Sequence, residues 1–100
     1  MPKSHQREHP HISVGQGEAF VIELAANPTT GYEWQPDFDP AALRLAGREF
    51  VRSGAAMGAG GVERFRFESL AAGATRLSFA YRRAWESAVK DQAVFQVTAV

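Results

Sequence analysis

Short stretches of alternating apolar and polar residues, turn-forming residues about every 8–12 positions and a near absence of helical periodicity predict an all-β chain. The arrangement that suits seven to eight such strands in 100 residues is an Ig-like antiparallel β-sandwich with Greek-key connections. One sheet alone would leave its apolar face in water, whereas two facing sheets cover each other.

Each element follows from the two-residue period of a strand, which places side chains i and i+2 on one face. Residues 1–9 show no period and read as a loose N-terminal tail ahead of a single domain over 10–100. His11–Val14 is a short first strand. In 19–25 (AFVIELA), Phe20, Ile22 and Leu24 share a face and Glu23 points away. Short strands are expected at Tyr32–Trp34, Leu43–Leu45 and Glu49–Arg52. The intervening DPAALRLAG contains the one helix-friendly run and reads as a single turn before a strand. In 63–68 (ERFRFE), Phe65 and Phe67 face inward and Arg64 and Arg66 outward. In 75–82, Leu77, Phe79 and Tyr81 alternate with Arg76, Ser78 and Arg82. In 93–100, Phe95 and Val97 alternate with Gln96 and Thr98. No Cys…Trp…Cys spacing is present, which separates the chain from true immunoglobulin domains.

Composition narrows the function. Apolar residues make up 45% and charged residues 22%, an ordinary globular mixture. Eleven basic and eleven acidic side chains cancel, so no global field points to nucleic acid or an anionic membrane as partner. The chain has no cysteine, hence no thiol nucleophile and no disulfide framework. No apolar run approaches the roughly 18 residues of a membrane span. The polar start MPKSHQREHPH lacks the apolar core of a signal peptide; the expectation is a cytoplasmic protein, or a periplasmic or secreted one whose signal has been removed. Gly, Ala and Arg usage suggests a bacterial source.

Three inter-strand segments differ from ordinary turns. The first is Asn27-Pro28-Thr29-Thr30-Gly31-Tyr32. Pro28 fixes its own φ and pushes Asn27 toward an extended conformation, Asn27 can bond nearby backbone, and Gly31 can supply a positive φ. A strand connection alone explains a Pro/Gly turn, but a hairpin needs only about two residues and no matched threonines. The second is SGAAMGAGGVE (53–63), almost bare of side chains. It is not a phosphate loop, since no Lys-Ser/Thr pair or helix follows. It reads as a linker, or as a backbone able to approach another backbone closely. The third is YRRAWESAVKD (81–91), where Trp85 stands among charged neighbours after the alternation ends. An isolated Trp is usually core filling, yet Trp and Arg on a loop are the residue types of interface hot spots. In a seven-strand Greek key these connections, second-to-third, fourth-to-fifth and sixth-to-seventh, lie at one end.

Taken together, NPTTGY, the glycine run Gly58-Ala59-Gly60-Gly61 and Tyr81-Arg82-Arg83-Ala84-Trp85-Glu86 resemble the chagasin family of cysteine peptidase inhibitors, from about residue 12 to residue 100. The resemblance implies a reversible, competitive, non-covalent inhibitor of papain-like cysteine peptidases, monomeric when free, with no catalytic residue, metal or cofactor. It further implies that Asn27, Pro28, Thr29, Thr30, Gly31 and Tyr32 form a central wedge, with Thr29 and Thr30 nearest the peptidase's cysteine and Tyr32 packed at the loop's base. Gly58, Ala59, Gly60 and Gly61 would run along one side of the cleft, and Arg83, Ala84 and Trp85 would meet the other. The family usually carries Arg-Pro-Trp where this chain has Arg83-Ala84-Trp85. Losing that proline raises the ordering cost of the third loop by about 0.4–1 kcal/mol.

Catalysis finds little support. His5, His9 and His11 are the only histidines, all near the N-terminus and none beside a serine and an acid. As a metal set they read as solvated residues of a polar tail. Acid pairs such as Glu33 and Asp37, or Asp37 and Asp39, have turn and surface explanations. The alternative outside inhibition is an Ig-like adhesion or ligand module with a non-peptidase partner, which would use sheet faces and tolerate changes at Thr30 and Trp85.

Overall fold

A computed structural model describes residues 3–27, 30–52 and 60–100. Its strands are β1 (Lys3–His5), β2 (His11–Val14), β3 (Ala19–Ala26), β4 (Tyr32–Asp37), β5 (Leu43–Arg52), β6 (Gly61–Ser69), β7 (Gly73–Arg83) and β8 (Asp91–Ala99). They form two four-stranded sheets, ordered β1-β3-β6-β5 and β2-β8-β7-β4. The chain crosses between sheets after β1, β2, β3, β4 and β6.

The alternation does what the two-residue period requires. Phe20, Ile22, Leu24, Phe65 and Phe67 from one sheet meet Trp34, Leu77, Phe79, Phe95 and Val97 from the other, all buried. Phe79 is the hub, with ring centroids 4.9 Å from Phe65, 6.1 Å from Phe67 and 5.9 Å from Phe95. Each such ring contributes about 1.5–3 kcal/mol by leaving water, and tilted or edge-on contacts add to that.

Two expectations need correction. The sandwich is not wholly antiparallel, because β1 runs parallel to β3 and β2 parallel to β8. The cause lies in residues 3–14, read above as beginning with a loose tail. Lys3–His5 pair with Phe20–Ile22, the chain crosses over through Gln6–Pro10, and His11–Val14 then pair along β8. No alternation marked β1 because backbone pairing and a few polar ties hold it. Gln6 Nε2 donates to Glu23 at 2.6 Å, and Arg7 makes a two-pronged bond to Asp91 at 2.8 and 3.1 Å.

The second correction concerns 43–52, expected as two strands and found as one. A register shift between Leu45 and Gly47 marks a bulge that breaks the alternation without ending the ladder to β6. The helix-friendly run before it makes only a turn. The Asp39 carboxylate accepts from the Ala41 N–H at 2.9 Å, and the Asp39 carbonyl accepts from Ala42 and Leu43, each at 3.0 Å.

Candidate functional site

Register places the singled-out segments at one end of the sandwich. The end of β3 (Ala26) pairs with the start of β6 (Gly61), which pairs with the end of β5 (Arg52). In the other sheet the start of β4 (Tyr32) pairs with the end of β7 (Arg83), and Tyr81 with the start of β8 (Asp91). Tyr81 joins the two sheets here, its hydroxyl oxygen accepting from the Asn27 N–H at 3.1 Å.

The first loop closes on itself. The Asn27 carbonyl accepts from the Thr30 N–H at 3.2 Å and from the Thr30 hydroxyl at 2.7 Å. The same hydroxyl oxygen faces the Tyr32 N–H at 3.5 Å. Thr30 is exposed, but its hydroxyl proton is engaged inside the loop. Gly31 has φ +81°, the left-handed region that a Cβ disfavours. Tyr32 packs at the base of the loop, stacked on Tyr81 with centroids 5.3 Å apart. Pro28 and Thr29, the remaining members of the expected wedge, lie outside the described residues.

The third loop begins with a tight turn, Arg83–Glu86, closed by the Glu86 N–H donating to the Arg83 carbonyl at 3.1 Å. Ala84 is the first central residue of that turn, the position at which proline's fixed φ is most at home. Trp85 follows and is 74% exposed, whereas Trp34 is 2% exposed with its indole N–H donating to the Ala25 carbonyl at 3.0 Å. The Trp85 ring lies over the first loop, close enough that a Cβ on Gly31 would sit 2.8 Å from its edge. Arg83 reaches across from the other side. Its Nε donates to the Thr30 carbonyl at 3.0 Å, an η nitrogen lies 3.3 Å from Glu86, and the guanidinium stands 4.5 Å above the Tyr32 ring.

For the second loop, Gly58 and Ala59 lie outside the described residues. Gly60 and Gly61 show a different need from the one expected. A Cβ on Gly60 would come 3.1 Å from the Ala26 carbonyl oxygen, and one on Gly61 would run into the Val51 carbonyl. Gly61 is a buried member of β6, so its bare backbone serves close packing within this chain.

Sequence reasoning missed several neighbours. Lys90 closes the third loop, its N–H donating to the Tyr81 carbonyl at 2.8 Å and its ammonium lying 4.6 Å from the Tyr32 ring centre. The inward position of Tyr81 in the alternation was the one available signal; nothing marked Lys90. Arg7 is also near, holding Asp91 and lying 5.7 Å from the Trp34 ring. Its hydrogen bonds hold the Asp91 carboxyl below the usual carboxylate range, and Asp91 in turn raises Arg7. Among the expected tail histidines, His5 sits edge-on to Phe20 at 6.3 Å. Among the described residues, no three His, Cys, Asp or Glu side chains converge in a way that could hold a metal.

With this geometry in place, comparison with known proteins is informative. The family model described as "Chagasin family peptidase inhibitor I42" matches residues 13–99. Chagasin of Trypanosoma cruzi is 29% identical over 92 residues, spanning 86% of this chain and 84% of that protein. The crystal structure of EhICP2, a cysteine protease inhibitor from Entamoeba histolytica, superposes with a TM-score of 0.85 at 20% identity, covering 98% of this chain and 96% of that one. PbICP-C, solved in complex with falcipain-2, superposes with a TM-score of 0.68 at 17% identity, covering 100% and 93%. At these identities the two structures speak for the fold.

Proposed function

This chain belongs to the chagasin family of peptidase inhibitors, and we propose on that footing that its loop end blocks papain-like cysteine peptidases by filling the catalytic cleft. Membership makes it an inhibitor rather than an enzyme. The observation that carries the cleft-filling reading is Trp85, a 74% exposed indole seated on the first loop at one end of a rigid sandwich. An apolar ring of that size held in water gains free energy when a partner covers it.

Papain-like peptidases attack with a cysteine thiolate paired to a histidine. A competitive inhibitor must fill the cleft without offering a peptide bond in attack geometry. The first loop suits this role because the Asn27–Thr30 bonds and the Tyr32 stack tie Asn27, Thr30 and Tyr32 in place before docking. We assign Asn27, Pro28, Thr29, Thr30, Gly31 and Tyr32 to the central wedge, with Tyr32 as its base. Gly58, Ala59, Gly60 and Gly61 form the contact on one side, Gly61 by shaping the backbone from within. The segment Arg83, Ala84 and Trp85 forms the other side of that surface, with the exposed Trp85 indole as its contact. Such a three-part surface can bury about 800 Å² per partner, the standard size of a protease–inhibitor interface. The reading is one of non-covalent binding, and with no cysteine the chain cannot form a mixed disulfide with the nucleophile.

Titrating papain and a cathepsin-L-like peptidase with the purified protein and a small fluorogenic substrate tests the reading. The expected result is reversible, competitive inhibition, with serine peptidases untouched. A folded protein that inhibits neither cysteine peptidase would overturn it.

A further inference from the structure

We infer that Arg83 is the positioning residue of the third loop: it fixes Trp85 against the first loop and affects the peptidase through that placement, not by touching it. This rests on the cleft-blocking reading above and assigns a division of labour within it.

Guanidinium groups reach outward only if their donors are left for a partner. Two of the three Arg83 nitrogens are turned inward: Nε to the Thr30 carbonyl at 3.0 Å, and an η nitrogen toward the Glu86 carboxylate at 3.3 Å. Its planar face covers Tyr32 at 4.5 Å and stands 5.9 Å from the Trp85 ring. Both ends of this bridge are themselves anchored. Tyr32 pairs with Arg83 in the β4–β7 ladder and stacks on Tyr81. The Glu86 carbonyl accepts from an Arg82 η nitrogen at 2.8 Å, while Arg82 Nε donates to Gln35 at 2.9 Å.

Among the described residues, no hydrogen bond holds the Trp85 indole. Trp85 sits in a four-residue turn beside Ala84, whose φ no ring restrains, and its exposed indole rests on the narrow surface left by Gly31. Arg83 spans that turn from its first residue to its last and bonds it to the loop on which the indole lies. A lysine could supply the charge, but not a fork that bonds two groups while stacking on a ring.

The test uses two readouts on the full chain. Heteronuclear NOEs of the two indole N–H groups report on Trp85 and, as an internal control for the fold, on Trp34. Inhibition constants against papain are measured for wild type, R83Q, R83K, W85A and R83Q/W85A. The expected result is a lowered Trp85 NOE in R83Q and R83K with Trp34 unchanged. Inhibition should weaken about tenfold on R83Q alone but about twofold or less when Trp85 is already alanine. An unchanged Trp85 NOE, an equal loss of inhibition in both backgrounds, or full rescue by lysine would each overturn the inference. If the wild-type protein inhibits no papain-like peptidase, the functional reading fails, while the NOE comparison still decides whether Arg83 positions Trp85.

Discussion

The two ends of this sandwich are built from different materials. At the end away from the site, connections are tied mostly by backbone. The Gly17 N–H donates to the Ser69 carbonyl at 2.8 Å and the Ser69 N–H to the Glu18 carbonyl at 3.0 Å. Gln16 and Val100 bond across the chain's C-terminus in the same way, at 2.9 Å. At the site end side chains carry much more of the load: the Tyr81 and Thr30 hydroxyls, the Arg83 guanidinium and the Tyr32 ring. Backbone bonds form with almost any residue present, so the far end tolerates substitution. Side-chain ties depend on identity, so single changes at the site end can alter shape while the core keeps the fold.

The largest expected effect is on Trp85. W85A should weaken inhibition by about 2 kcal/mol or more, the scale of an interface hot spot, with the melting temperature unchanged because the ring covers little of the core. A matching drop in melting temperature would show that the site end supports the fold as much as it serves binding.

Next comes a matched pair of glycines. Gly31 and Gly17 have nearly the same φ, +81° and +86°, one at each end. A Cβ on Gly31 meets Trp85 at 2.8 Å, whereas one on Gly17 meets nothing within 4 Å. Both G31A and G17A should cost about 1–2 kcal/mol of stability from the left-handed conformation alone. Only G31A should also displace the indole and weaken inhibition. Thermal melts and papain titrations of the pair separate the shared strain from the local clash.

Smaller in size is A84P. Proline suits the first central position of the Arg83–Glu86 turn, so it should tighten inhibition by about 0.4–1 kcal/mol through a lower ordering cost. A clear loss on the same titration would mean that the turn docks in another conformation.

The smallest effect concerns the Arg7–Asp91 pair, which anchors the strand following the third loop. The folded Asp91 carboxyl titrates below its unfolded value, held down mainly by the Arg7 hydrogen bonds. Its stabilisation is therefore present above the unfolded value and lost as pH falls through the folded one. Both side chains are more than 40% exposed, so the contribution is about 0–1 kcal/mol. Melting curves of wild type and D91N should run slightly apart at pH 7 and converge as the pH falls below the ordinary aspartate range.

How much of this was legible follows from the same contrast. β3, β6, β7 and β8 announce themselves because half of each faces a core, and burial imposes a period of two on the residues. β5 hid its continuity because the bulge before Gly47 shifts that period within one strand. β1 hid altogether, since backbone pairing with β3 leaves no trace in a polar Lys-Ser-His. At the site, Trp85 and Gly31 were readable from residue type and place. The inward engagement of Arg83 and of the Thr30 hydroxyl was not, because a local motif does not say where a long or rotatable donor finds its acceptor. Gly60 and Gly61 were noticed for their bare backbone, but which backbone they approach is a matter of tertiary packing.

The crossover between β1 and β2 bears on survival beside a protease. A papain-like enzyme cuts chain that it can draw out and lay extended along its cleft. Here only Gln6–Pro10 stand between two paired strands. The His9 N–H bonds the Gln6 carbonyl at 3.0 Å, and Arg7 is tied to Asp91 and to the Gln92 carbonyl. Freeing enough slack to be bitten would mean unzipping a strand from each sheet. The Gln6–Pro10 crossover, an easy meal in one dimension, is once folded fastened at both sides and poor food for a papain-like peptidase.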